Sequence, residues 1–151
     1  MKKIPLIIAF LCLALACDET LYNPIPNYPV DVTINLDFLD TDLPGLYSHK
    51  TIITPRIEAE RGKLGYGGIL VINGIGEKVN NIFAYDAACP KEVNRNIRVV
   101  ADDEGRCKCP KCGSIFFIAD GRGLPESGTE LYLRSYSVQD LGDARKFRIT
   151  N

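Results

Sequence analysis

The chain of 151 residues has no tryptophan, one methionine and a single histidine, His49. One histidine excludes a multi-histidine metal site and leaves little material for a Ser-His or Cys-His catalytic apparatus. Charge of one sign is equally scarce. Lys+Arg number 18 against 19 Asp+Glu, a net charge of −1, so there is no field to hold nucleic acid or an anionic membrane surface. Helical periodicity is also missing; the segment around Ala59–Lys63 supports no more than one turn. The chain has no internal repeat. Its long apolar run, Ile4 to Ala16, is too short to span a bilayer comfortably as a mature helix.

That run is informative for its flanks. Lys2 and Lys3 precede it, and Leu13-Ala14-Leu15-Ala16 lead directly into Cys17. The pattern resembles the bacterial lipobox, in which the cysteine is diacylated on sulfur and becomes the mature first residue. Residues 1–16 are therefore expected to be a lipoprotein signal peptide of the Sec type, with Cys17 the lipidation site. Residues 17–30 are expected to be the lipidated cysteine and a tether. Pro24, Pro26 and Pro29 favour an extended, semi-rigid spacer, with Tyr22 and Tyr28 available to dock on the domain. Location in the cell envelope follows, with the membrane engaged through the lipid.

From residue 31 the two-residue period dominates. A hydrophobic fraction of 46% with 13 glycines and 9 prolines suits a packed, turn-rich fold. Val32, Ile34, Leu36 and Phe38 alternate with polar residues as a half-buried strand. Ile69–Asn73 reads as a fully buried strand, and a turn at Gly74–Glu77 leads to its hairpin partner Asn81–Asp86. Thr51–Thr54, Arg98–Ala101, Ile115–Ile118, Leu131–Val138 and Phe147–Thr150 supply further strands. Asp120-Gly121 and Gly123-Leu124-Pro125 read as punctuation. The fold class is all-β, one domain over 31–151.

Six cysteines are present. With Cys12 in the signal and Cys17 at the lipid, Cys89, Cys107, Cys109 and Cys112 remain. In Cys107-Lys108-Cys109-Pro110-Lys111-Cys112-Gly113 a C-x-x-C bite closed by glycine aims two sulfurs at one point, a common metal knuckle. Cys107 and Cys109 alternate along an extended chain and so share a face. Cys89 completes a set of four.

Ala84-Tyr85-Asp86-Ala87-Ala88-Cys89-Pro90 and Cys109-Pro110-Lys111-Cys112-Gly113-Ser114-Ile115-Phe116 resemble the two cluster-binding loops of Rieske [2Fe–2S] domains. Gly121–Gly128, with Pro125, resembles the proline-containing cover loop, and Leu131–Val138 the strand after it. The resemblance covers about residues 65–150. It implies stacked antiparallel sheets with the two loops meeting at the tip of a small subdomain, about 84–128. It also implies a [2Fe–2S] cofactor, electron transfer without substrate chemistry, and a redox protein as partner. Cys89 and Cys109 match the family's two thiolate ligands. The two histidine positions, which share one iron in the family, hold Lys91 and Cys112. Ser114 stands where the family hydrogen-bonds cluster sulfur, and Phe116 where it often has tyrosine.

Four states are open to these sulfurs: a [2Fe–2S] cluster on Cys89, Cys107, Cys109 and Cys112; a structural zinc on the same set; two disulfides; and a metal-free relic that packs as core. The Sec-like signal threads unfolded chains, which favours zinc or disulfides. The resemblance favours the cluster. A metal-free interaction module of the envelope is the alternative function. A thioredoxin-type role for Cys109-x-x-Cys112 is disfavoured, because a strand pattern follows the motif. Gly65-Tyr66-Gly67-Gly68 reads as a turn, His49 as a surface loop residue, and Asp102-Asp103-Glu104 as an exposed hairpin turn. Lys91, Arg106, Lys108 and Lys111 read as a solvated loop surface. No acid/base pair can be assembled, so no enzyme is expected.

Overall fold

The computed structural model describes residues 22–151. The expected signal peptide, Cys12 and the expected lipidation site Cys17 lie outside the described residues. Among the described residues ten strands form two antiparallel sheets. They are β1 (Asp31–Asn35), β2 (His49–Ile52), β3 (Ile69–Asn73), β4 (Ile82–Asp86), β5 (Val100–Ala101), β6 (Arg106–Lys108), β7 (Ile115–Phe117), β8 (Leu124–Ser127), β9 (Ser135–Asp140) and β10 (Lys146–Thr150). The larger sheet has the order β1-β10-β9-β4-β3-β2 and the smaller the order β5-β6-β7-β8. A 3₁₀ turn, Glu58–Glu60, overlaps the segment around Ala59–Lys63 expected to make one turn. No helix among the described residues is long and apolar enough to cross a membrane.

β3 explains the layering. All five of its residues are buried, as a strand covered on both faces must be. Ile69 and Val71 point into a cluster with Val32, Ile34, Ile82, Phe147 and Ile149. That cluster draws on β1 and β10 as well as β3 and β4, so the larger sheet curls around it. Leu70 and Ile72 point the other way. They join Tyr85, Phe116, Ile118 and three cysteines in a second cluster, which glues the smaller sheet to the back of the larger. The fold is thus all-β, with two antiparallel sheets and a small four-stranded subdomain beside which the cysteine loops lie.

Several boundaries differ from the sequence reading. The first strand stops at Asn35, whose carbonyl accepts the amides of Phe38, Leu39 and Asp40 in a turn; Phe38 is left 79% exposed. His49 is half-buried in β2 opposite Ile72 instead of in a loop. Leu124-Pro125 is edge strand β8, not a turn: Pro125 stands opposite Phe116, and an edge tolerates a residue without an amide donor. Residues 131–134 are not strand; the amide of Leu133 bonds Gly123 and the carbonyl of Arg134 accepts from Asp86.

The proline-rich segment is extended, but from Asn23 onward it lies on the domain. Ile25 is buried. Asn23 Nδ2 donates to the Tyr132 carbonyl, and Arg134 donates to the Ile25 carbonyl and to Asn27. Tyr28 stacks at 5.5 Å on Tyr66, with the Arg95 guanidinium over both rings.

Two turns and an edge carry carboxylates held below their ordinary value. Asp31 is lowered by hydrogen bonds from Arg148 and Lys63. Asp140 is lowered by the Gly142 amide, and Asp143 by the Arg145 amide. A depressed folded pKa contributes stability that is full above the unfolded value and is lost as pH falls through the folded one. Melting temperature is therefore expected to hold steady from neutral pH to about pH 5 and to decline below about pH 4. The decline should be shallow, since all three groups are exposed or half-exposed. A scan of melting temperature against pH, repeated in high salt, measures it.

Candidate metal centre

The cysteine loops meet at one end of the second core cluster. Loop one leaves β4 at Asp86. The Cys89 amide donates to the Ile97 carbonyl, and the Cys89 carbonyl accepts from Glu92 and Val93, which wraps the chain into a tight turn. Loop two is closed by the Cys109 amide on the Ser114 carbonyl and the Gly113 amide on the Cys109 carbonyl. Gly113 has φ +74°, a conformation that glycine adopts without strain.

These turns bring the sulfurs of Cys89, Cys109 and Cys112 within 4.8 Å of one another. Cys89 and Cys112 are 3.7 Å apart, well beyond the ~2.05 Å of a disulfide bond. All four described cysteines are free thiols. Cys107 is not in the group of three. It sits on β6 opposite Phe116 and Ala101, fully buried in the apolar cluster.

The surroundings differ from thiol to thiol. Burial pushes the Cys89 thiol up to about 12 and raises Cys107 further. At Cys112, burial acts in the same sense but is outweighed. The Ser114 hydroxyl and amide, together with the neighbouring thiols, hold Cys112 below its ordinary value. Cys112 is also the half-exposed member. An alkylating agent added to the native, metal-free chain is expected to modify Cys112 at least about tenfold faster than Cys89 or Cys107. Peptide mapping by mass spectrometry reads the order directly.

The other residues singled out in the sequence divide between support and surface. Ser114 is buried, and its Oγ accepts from Cys112 Sγ at 3.2 Å. The Lys91 Nζ donates to the Gly128 carbonyl at 2.8 Å, tying loop one to the cover loop. Pro125 lies on β8 behind Phe116. Lys111 pairs with Glu92 across the two loops, and Arg106 pairs with Glu104 and Glu126. Asp102 Oδ1 accepts the amides of Glu104 and Arg106 inside the β5–β6 turn.

The sequence reading missed the group beneath loop one. Asp86 is fully buried. Its carboxylate accepts from the amides of Tyr66 at 2.8 Å, Gly67 at 3.0 Å and Ala88 at 2.8 Å, and from the Tyr136 hydroxyl at 2.6 Å. Burial beside this carboxylate raises the Tyr136 pKa, so the hydroxyl stays a donor. A Cβ on Gly67 would lie 2.5 Å from the Ala88 nitrogen, which shows how closely this turn underlies the loop. The visible signal was one acid ending the apolar stretch Ile82–Tyr85.

No family model matches the chain, and no curated protein matches it. Among solved structures it is similar to a chain from a complex of reduced oxygenase and oxidized ferredoxin in carbazole 1,9a-dioxygenase. Identity is 13%, over 80% of this chain and 93% of that one, with a TM-score of 0.48. It is also similar to the ferredoxin of carbazole 1,9a-dioxygenase from Nocardioides aromaticivorans IC177, at 15% identity over 80% of this chain and 96% of that one, with a TM-score of 0.47.

Proposed function

We propose that this chain is a lipid-anchored metal–thiolate protein of the cell envelope that passes electrons to or from a redox protein and turns over no substrate of its own. The observation that carries the reading is the convergence of Cys89, Cys109 and Cys112 at the tips of two loops. Thiolates gathered at one point are a ligand set for iron or zinc, and the half-exposed Cys112 leaves one side of the centre open to a partner. A [2Fe–2S] cluster is the form that the family resemblance implies. Zinc is the form most easily acquired after export of an unfolded chain. The anchor is supported by Lys2, Lys3 and the run Leu13–Cys17.

Two measurements test the reading. Mass spectrometry of the protein from membranes is expected to find Cys17 as the acylated first residue; any other mature N-terminus removes the anchor. Voltammetry of the iron-loaded protein is expected to show a reversible one-electron wave, which a zinc-loaded protein would not give. A chain that binds no metal and gives no wave would instead be a metal-free interaction module built on the same fold.

A further inference from the structure

The donor set does not match a two-iron cluster. In the Rieske arrangement Cys89 and Cys109 share one iron, while the positions held here by Lys91 and Cys112 serve the other. A sulfur on the second iron must stand apart from those on the first. Here Cys112 Sγ is 3.7 Å from Cys89 Sγ, and all three sulfurs lie within 4.8 Å. Sulfurs bound at ~2.3 Å to one tetrahedral ion are about 3.8 Å apart. The fourth candidates are engaged elsewhere. The Lys91 ammonium is bonded to the Gly128 carbonyl, Cys107 is packed against Phe116, and the one histidine, His49, is on β2.

We infer that the centre is mononuclear: one borderline divalent cation, iron(II) or zinc, on the thiolates of Cys89, Cys109 and Cys112, with its fourth position open to an outside ligand. The inference rests on the metal–thiolate reading above and narrows it. Three thiolates on a divalent ion leave one net negative charge, with the Lys91 and Lys111 side chains on the flanking loops. Ser114 Oγ, already bonded to Cys112 Sγ, would then donate its own proton to the bound sulfur and hold it in place.

The test uses the purified full-length chain, reduced and oxygen-free. It is titrated with cobalt(II) as a spectroscopic probe, and separately with iron(II) and zinc(II), with and without sulfide. The expected result is saturation at one ion per chain, thiolate-to-cobalt charge-transfer absorption that shifts when imidazole is added, and no acid-labile sulfide retained. Cys107→Ala is expected to bind as the parent does. Cys112→Ser, at a half-exposed position, is expected to lose the charge-transfer band while melting as a folded protein. Two irons with labile sulfide per chain would overturn the mononuclear assignment and leave the electron-carrier reading standing. One ion that depends on Cys107, or bands indifferent to imidazole, would overturn the three-thiolate open site. Zinc taken up to the exclusion of iron would uphold the site and overturn electron transfer. A folded chain that binds none of these ions would overturn both.

Discussion

An Asp86→Ala chain is expected to lose about 3–5 kcal/mol of unfolding free energy, a large part of what a domain of this size has. Four donors point at this carboxylate: the amides of Tyr66, Gly67 and Ala88 and the hydroxyl of Tyr136. Each donor left buried and unpaired costs about 1–3 kcal/mol, with entering water recovering part of the total. Asp86→Asn is expected to cost less, about 2–3 kcal/mol, because one carbonyl oxygen remains while the new amide faces donors already in place. Tyr136→Phe removes one donor and should cost only about 1 kcal/mol. Urea denaturation ranks the three. The asparagine variant should also alkylate faster at Cys89, because Ala88, one residue before the thiol, loses its anchor. A chain in which Asp86→Ala costs less than Tyr136→Phe would refute the assignment of Asp86 as the support of loop one.

The second large effect lies at the other flank. Arg56 bonds Asp40 at 2.6 Å through Nη1, and Glu60 at 3.1 Å through Nε. Asp40 and Glu60 are both buried, at 0% and 2% exposure. Lys50 reaches Asp40 at 3.3 Å, and the Arg56 amide reaches Glu60 at 2.8 Å. Removing the guanidinium leaves Glu60 with that single amide and no counter-charge. Arg56→Ala is expected to destabilise the fold by about 3–5 kcal/mol, the usual result of stranding a buried charge. Most of the loss should return in Arg56→Ala/Glu60→Gln, which removes the stranded charge. Failure of the double variant to recover would mean that Arg56 acts through packing of its aliphatic stem.

The parts of the fold legible from the sequence are those set by nearest neighbours along the chain. Ile69–Ile72 is an unbroken apolar run that Asn73 closes between Gly68 and Gly74, and Ile69–Asn73 is β3 at its expected limits. The C-x-x-C-Gly turn forms as its spacing requires. The missed pieces depend on distant partners. β6 is three residues, Arg106-Cys107-Lys108, whose cysteine takes its surroundings from Phe116 across the strand pair. Period-two alternation places Cys107 and Cys109 on one face, yet β6 ends at Lys108, so the alternation does not carry into loop two. β8 is masked by Gly123 and Pro125 and exists because it lies at an edge. The docking of residues 23–30 turns on the burial of Ile25 and Val30 and on Tyr132, Arg134 and Asn151 far along the chain. Buried acids are hidden for the same reason. Nothing local distinguishes Asp40 or Glu60 from the exposed Asp42 or Glu58.

The pairing of β1 with β10, in register from Asp31 opposite Thr150 to Asn35 opposite Lys146, sets an order of assembly. The first strand of the body has no partner strand until the last has been made, whereas Cys89, Cys109 and Cys112 come from one stretch in the middle of the chain. Closing the short loops costs less entropy than joining the ends. The thiol-bearing subdomain is thus expected to gain hydrogen-exchange protection first in a pulse-labelled refolding experiment, with β1 and β10 protected together and last. An ion held by these thiols would then be bound before the larger sheet is complete.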